Sequence, residues 1–497
     1  MMRTMTSVHP IVDTAAARAL GDALRRVDYS EDGVCKLLGE DAYSADADDA
    51  EVRDRRLPDS RLATVIRAFF LQLPVPVEEL AHAIGRHGVE ALGATALAEV
   101  GDDVLSRVRI LPVGDLLVAS DGDTSYQGDD PPDYVSAYTP TSKLCDSLTP
   151  RPRVERALDV GTGSGVQALL AARHAREVVA TDVNPRALAY TELNAALNGF
   201  TNIDCRPGSM FEPVAGETFD LITCNAPFVV SPETRWAYRD SGLPADEVSE
   251  RIVEAAAEHL ADGGYATLLV CWIARDDDNP EERPLAWTDG TGCDSWIMPI
   301  FGLDPLGHAA RWNNHLAGDD DEAFRAALDD WTSYLERLGV EMVSEGAVLL
   351  HRRAGTGHTT RVDAIDDDAL DHAGDQIQRA FAARARLAEL GKPAELLDAR
   401  LAIGAPVRLE RELEPGGGRP GVVAAEVEMA EGTNPTVEAS SNTLEVVAAL
   451  DGGTTLGDVV QRVAEKLGLS EKQTAELRQE SLTLMRELLE LGALEFH

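Results

Sequence analysis

The chain has 497 residues, more than one compact core normally takes, so about three domains of roughly 150 residues each are expected. Hydrophobic residues at 44% and charged residues at 26% exclude a largely disordered or fibrous chain. The formal net charge is −41, and Lys occurs only at positions 36, 143, 392, 466 and 472, so 40 of the 45 cations are Arg; such a surface works against gathering phosphates for nucleic-acid binding.

The segment from Met1 to Ala17 carries one Arg and no apolar stretch of secretory length, and nowhere does the chain approach the ~20 apolar residues that span a bilayer. A cytoplasmic protein with no membrane partner is the expectation. Six cysteines, at 35, 145, 205, 224, 271 and 293, contain no C-x-x-C pair, so reduced thiols are expected rather than a disulfide framework or zinc site.

Residues 10 to about 100 read mainly as helices, with Leu62, Ile66, Phe69, Phe70 and Leu73 recurring on one face until Pro74 and Pro76 stop the run. Val104 to Leu111 and Leu116 to Ala119 read as a hairpin around Pro112, Gly114 and Asp115. Residues 1–130 are therefore expected to form a helical, winged-helix-like accessory domain, closed by the polar connector Asp121 to Asp133.

From 131 to 355 the pattern changes to short apolar runs (Val178 to Asp182, Phe219 to Asn225, Tyr265 to Ile273) separated by helical stretches, as in a parallel sheet covered by helices. Leu158 and Asp159 lead from a strand into the turn Gly161-Thr162-Gly163-Ser164-Gly165, and the Ala/Leu-rich stretch Val166 to Ala175 reads as a helix. Glycine belongs at such a turn because a Cβ would block close approach of a ligand and resist the sharp backbone dihedrals. The spacing G-x-G-x-G, with Val166 where a dinucleotide fingerprint places its third glycine and Asp159 inside the strand, favours S-adenosylmethionine over NAD. Asp182 ends the next strand, 17 residues beyond Gly165, where a carboxylate accepts both ribose hydroxyls. Asn184-Pro185 then opens a helix as N-cap and first-turn pair, and Asn198-Gly199 closes it. Gly208-Ser209-Met210-Phe211 falls beside the adenine position, with Ser209 and Met210 as candidate contacts and core packing of Phe211 as the competing reading.

The strand Phe219 to Cys224 ends in Asn225-Ala226-Pro227-Phe228. Together with Asp159 to Gly165 and Asp182, this tetrapeptide resembles the class I methyltransferases bearing an N-P-P-[FY] motif, above all the HemK/PrmC glutamine methyltransferases and the rRNA guanine-N2 and DNA adenine enzymes related to them. The resemblance covers about residues 135 to 275 and implies a Rossmann-like doubly wound α/β domain. It also implies roles: Asn225 Oδ1 and the Ala226 carbonyl accept hydrogen bonds from the target NH2, and Phe228 stacks on the planar target. Pro227 keeps the turn, while Ala226 stands where that family usually has proline. Tyr138 to Ser142 lies where the family lines its cofactor pocket.

Trp287, Trp296 and Trp312 are candidates for a substrate lid between Asp276 and His315, against ordinary core packing. His308 and His315 lack a third ligand, so no metal is expected. Glu322 to Leu338 reads as a helix, and Val340 to Ser344 with Ala347 to Arg352 as a closing hairpin around Glu345 and Gly346. Asp363 to Ala373 and Glu410 to Pro420 are charged or Gly/Pro-rich, and a third, winged-helix-like domain, 356–497, is expected, with helices Leu444 to Leu450, Leu456 to Leu467 and Ser470 to Leu491 followed by the strand Leu494 to Phe496.

The sequence thus points to transfer of a methyl group from S-adenosylmethionine to a planar amide or amine nitrogen, with a protein glutamine as the acceptor the resemblance implies. An rRNA or tRNA base, a small molecule, and a non-catalytic scaffold that kept the fold are the alternatives.

Overall fold

A computed structural model describes residues 9–43, 50–122, 131–225, 227–234, 239, 242–276, 279–317, 321–366, 370–414 and 421–497. It divides into two compact units: Met1–Cys145, Arg153–Thr291 and Phe301–Leu350 form one, and Asp146–Pro152, Gly292–Ile300 and His351–His497 the other.

In the first unit, helices Thr14–Arg25, Glu31–Leu38, Ala50–Arg56 and Arg61–Val65 come first. Asp13, Ser30 and Ser60 cap three of them by accepting from first-turn amides. The apolar run predicted as one helix changes to a π-turn at Ile66–Phe70, which keeps Ile66, Phe69 and Phe70 buried. Helices Val77–Ile84 and Arg86–Ala94 follow. The expected hairpin forms from Val108–Val113 and Leu116–Asp121, with Val113 opposite Leu116. Asp103–Ser106 is a separate strand, because it pairs with Ala98–Val100 and Val75–Pro76 rather than continuing into the hairpin. Of the connector predicted from Asp121 to Asp133, residues 123–130 lie outside the described residues.

The same unit contains the sheet that positions the site. Its strands are β1 (Val154–Val160), β2 (Ala175–Asp182), β3 (Ile203–Pro207), β4 (Phe219–Cys224), β5 (Leu260–Ala274) and β6 (Met342–His351), in the spatial order β3-β2-β1-β4-β5-β6. The β1/β2, β2/β3, β1/β4 and β4/β5 pairs are parallel. Helices α1 (Val166–Ala171), α2 (Pro185–Asn198) and α3 (Glu247–His259) connect them, so the architecture is a doubly wound α/β domain. From β1 the chain runs outward through β2 and β3, then returns to start β4 on the other side of β1. That reversal opens a crevice at the carboxyl ends of β1 and β4, where such sheets bind ligands.

Two predicted boundaries change. The helix expected to reach Ala175 stops at Ala171, because Ala175 pairs opposite Val154 and so belongs to the sheet. The hairpin expected around Glu345 and Gly346 does not form: Met342–His351 is one strand, buried almost throughout. Glu345, only 7% exposed, accepts a hydrogen bond from Trp312 Nε1 at 3.0 Å, so a residue that reads as a turn is a satisfied buried acid. Burial lifts its carboxyl to about 6.

In the second unit, helix Ala373–Glu389 precedes a three-stranded antiparallel sheet of Val407–Glu414, Gly421–Met429 and Thr436–Glu438. Glu410 to Glu414, which the sequence marks only as charged, is strand, because its backbone pairs with Gly421 to Glu426; residues 415–420 lie outside the described residues. Helices Ser441–Ala448, Leu456–Leu467 and Glu471–Glu490 follow, the last opened by Ser470 in a capping box with Gln473. Leu494–Phe496 pairs with Leu401–Ile403. Among the described residues, no helix is long and apolar enough to cross a membrane.

Candidate cofactor and acceptor site

The glycine turn sits at the carboxyl end of β1. Gly161, Gly163 and Gly165 all have positive φ (67°, 56° and 85°). Gly163 and Gly165 need glycine for different further reasons. A Cβ at Gly163 would meet nothing within 4 Å, so the backbone faces an open cradle, whereas a Cβ at Gly165 would lie 2.9 Å from Thr191 of α2. The turn is fixed by Thr162 N donating to Thr181 O (3.0 Å), Gly165 N to Thr162 O (2.8 Å) and Thr191 Oγ1 to Gly163 O (3.1 Å).

Asp159 lies beneath it, 2% exposed. Its Oδ2 accepts from Thr162 Oγ1 (2.7 Å) and Ala168 N (3.1 Å), and its Oδ1 from Thr223 Oγ1 (3.1 Å). Burial lifts this carboxyl to about 6 against those three donors. Asp159 thereby joins the turn to α1 and β4. Asp182, at the end of β2, accepts from Gly163 N at 3.0 Å and Asn184 N at 2.8 Å, and burial raises its pKa. Asn184 caps α2, as the sequence indicates. Met210 holds φ +48°, and its carbonyl accepts from Thr181 Oγ1 at 3.2 Å. Ser209 beside it is half-buried; Phe211 is buried and stacks near His259, with ring centroids 5.0 Å apart.

On the neighbouring strand, Cys224 pairs with Val160, so Asn225 and Gly161 leave the sheet side by side. Asn225 Nδ2 stands 3.4 Å from Thr141 Oγ1, on the first turn of the helix Pro140–Leu148. The structure thus brings the predicted Tyr138 to Ser142 segment to the acceptor motif. Ala226 lies outside the described residues. Pro227 is half-buried, and Phe228, Val229 and Val230 are buried.

Sequence reasoning missed what holds this loop. The stretch between β5 and β6 contributes helices α4 (Pro305–Asn313) and α5 (Asp321–Arg337). His308 Nε2 donates to Val230 O at 2.9 Å, Trp331 Nε1 to Glu233 Oε1 at 3.0 Å, and Tyr334 Oη accepts from Ala245 N at 3.0 Å. Arg239, buried, closes the set with Glu233 Oε2 at 2.7 Å. Desolvation pushes His308 down to about 4. The three tryptophans proposed for a lid are placed otherwise: Trp287 and Trp296 are buried and Trp312 is tied to Glu345. The indoles of Trp287 and Trp296 fill core positions, and that of the half-buried Trp312 is held by a buried acid. Among the described residues, no group of three or more His, Cys, Asp or Glu is arranged to hold a metal ion.

Asp159 and the glycine turn beside Asp182, at a switch point shared with Asn225, match a known domain. Residues 139–272 match a family described as methyltransferase small domain. Residues 26–110 match a second family, described as a domain of unknown function (DUF7059). The ribosomal protein uL3 glutamine methyltransferase of Bradyrhizobium diazoefficiens is 36% identical over 169 residues, 30% of this chain and 52% of that enzyme. The release factor glutamine methyltransferase of Geobacter sulfurreducens is 34% identical over 134 residues, 24% of this chain and 46% of that one. The chain thus spans about half the length of these curated relatives. Among solved structures, a ribosomal protein L11 methylase from Lactobacillus delbrueckii subsp. bulgaricus is similar at 25% identity, with a TM-score of 0.20, over 26% of this chain and 57% of that one. The matched stretch, 139–272, lies wholly within the residues, 135 to 275, over which the motifs resemble the N-P-P-[FY] methyltransferases.

Proposed function

We propose that the protein is an S-adenosylmethionine-dependent N-methyltransferase whose acceptor is the side-chain amide of a protein glutamine, working in the cytoplasm. The observation that carries this reading is the placement of the glycine turn and Asn225 side by side at one switch point.

The residues present fit the cofactor. Gly163 leaves open the space a Cβ would fill, and Asp182, already oriented by two backbone amides, keeps lone pairs for the ribose hydroxyls. Asp159 serves by holding the turn in shape, through the hydrogen bonds it accepts from Thr162, Ala168 and Thr223. Ser209 and Met210 face the adenine end. When bound, the cofactor supplies an electrophilic methyl group on a sulfonium.

On the acceptor side, the contact of Nδ2 with Thr141 leaves Asn225 Oδ1 as the end that receives an N–H from the target. The Ala226 carbonyl accepts the other N–H, and Pro227 with Phe228 shapes the wall against the planar group. Two acceptors draw the delocalised lone pair of an amide toward a nucleophilic geometry. Holding it in line with the methyl group contributes up to about 7–11 kcal/mol in favourable cases. The flanking segments 1–130 and 356–497 hold or select the substrate. The two curated relatives act, by their names, on a ribosomal protein and a release factor, which supports a protein acceptor. The net charge of −41 suits a basic protein partner better than RNA.

The test has two steps. Calorimetric titration with S-adenosylhomocysteine should give micromolar binding. Tritiated methyl transfer onto extract fractions should then label protein, in a form that yields methylglutamine on digestion. Label confined to RNA or to small molecules would replace the glutamine reading.

A further inference from the structure

The outer edge of the hairpin strand Leu116–Asp121 is closed by side chains of α2. Asn198 Oδ1 accepts from Leu117 N (2.9 Å) and its Nδ2 donates to Leu117 O (2.7 Å). Asn194 repeats the pattern on Ala119, with both contacts at 2.8 Å. Each amide thus reads one residue of the strand edge as a neighbouring strand would. The spacing permits it: four helical residues advance about 6 Å and two strand residues about 6.8 Å.

The two asparagines then differ. Asn198 spends its remaining donor within its own helix, on Asn194 O. Asn194 donates to Ser164 O at 2.8 Å, inside the glycine turn. Asn194 is 0% exposed, so removing its amide strands a buried carbonyl on each side. At the other end of the same helix face, Asp121 accepts from Arg186 (2.5 Å) and from Tyr190 Oη (2.8 Å), all three buried. Ala187, Tyr190, Leu193, Ala196 and Leu197 of α2 share one hydrophobic core with the N-terminal helices.

We infer that Asn194 is a positioning residue for the cofactor turn, and that the N-terminal segment also acts through it as a fixed wall of the cofactor site. The inference rests on the cofactor reading of the glycine turn. Asn194 does its work through Ser164 and is not itself a cofactor contact.

The test compares Asn194→Ala with Asn198→Ala in the full chain, by thermal melting, by S-adenosylhomocysteine titration, and by KM for the methyl donor against kcat. Both variants loosen the hairpin, so both should melt lower than wild type. Only Asn194→Ala should also weaken ligand binding, by about ten-fold, as expected when a buried carbonyl loses its donor. Its effect should fall on the donor KM more than on kcat. A second measurement needs no variant: coupling is reciprocal, so S-adenosylhomocysteine should slow hydrogen exchange at the Leu117 and Ala119 amides of the wild type. Affinities of the two variants within two-fold of each other, or hairpin exchange unchanged by ligand, would overturn the inference. A wild type that binds no S-adenosylhomocysteine would instead overturn the cofactor reading on which it stands.

Discussion

The two halves of the site are built in different ways. The donor half draws its stiffness from neighbours close in the fold: Asp159 with Thr162, Thr162 with Gly165 and Thr181, and Gly163 with Asp182 are hydrogen-bonded within the first two strands and their turns. The acceptor half, from Asn225 onward, is a longer loop fastened from outside by His308, Trp331 and Tyr334 of the stretch between β5 and β6. A shared, preformed cradle suits a cofactor of fixed shape. A loop fastened from outside the cradle suits an acceptor that is chosen separately from the cofactor.

The strongest way to break this division is to remove one residue from each half. Asn225→Ala should lower methyl transfer by at least about a hundred-fold, since it removes an acceptor used in positioning, while leaving S-adenosylhomocysteine affinity within two-fold. Asp182→Ala should do the reverse and weaken the ligand by about ten- to a hundred-fold. If titration and single-turnover rates moved together in both variants, the two halves would be one unit.

A smaller effect separates the glycines. Gly165→Ala forces a Cβ against Thr191 at φ +85°, and should cost about 1–3 kcal/mol of stability, read as a lower melting temperature. Gly163→Ala meets no atom of the protein, so its larger effect should appear in ligand titration instead. The opposite pattern would place the cradle elsewhere.

The smallest effect sharpens the acceptor half. Burial holds His308 at about 4, with Arg311 and Arg239 adding to the depression, against an ordinary value near 6.5. Between those values the unfolded chain binds a proton that the native imidazole refuses, so stability is full above pH 6.5 and falls as pH drops toward 4. His308→Gln keeps an N–H for the Val230 carbonyl and removes this titration. The gap in melting temperature between wild type and variant should therefore change steadily from pH 6.5 to 4. His351, also near 4, titrates in both proteins and cancels. A gap independent of pH would show that His308 is not buried against the loop.

Legibility followed the same division. The glycine spacing, Asp182, the Asn184 cap and the tetrapeptide after β4 were readable because each is a local rule: a positive-φ turn, a strand end, a helix start. Asn194 and Asn198 were not, although they sit four apart on the helix face that the sequence marks as apolar through Leu193 and Leu197. Polar residues at that spacing read as solvent-facing until a strand edge is known to lie against them. Glu345 misled for the same reason, since Glu-Gly reads as a turn unless a Trp from a distant helix satisfies the acid.

By itself the sequence determined the α/β character of the region read as 131–355, the cofactor turn, and the order of donor and acceptor motifs along the chain, because backbone dihedral demands and period-2 or period-3.6 patterns are written locally. The tertiary structure decided which buried amide supports the turn, what anchors the acceptor loop, and that the N-terminal helices share a core with α2. Those depend on partners 30 or more residues away, whose pairing is fixed by the burial of polar groups that must find a hydrogen bond and carries no periodic signal.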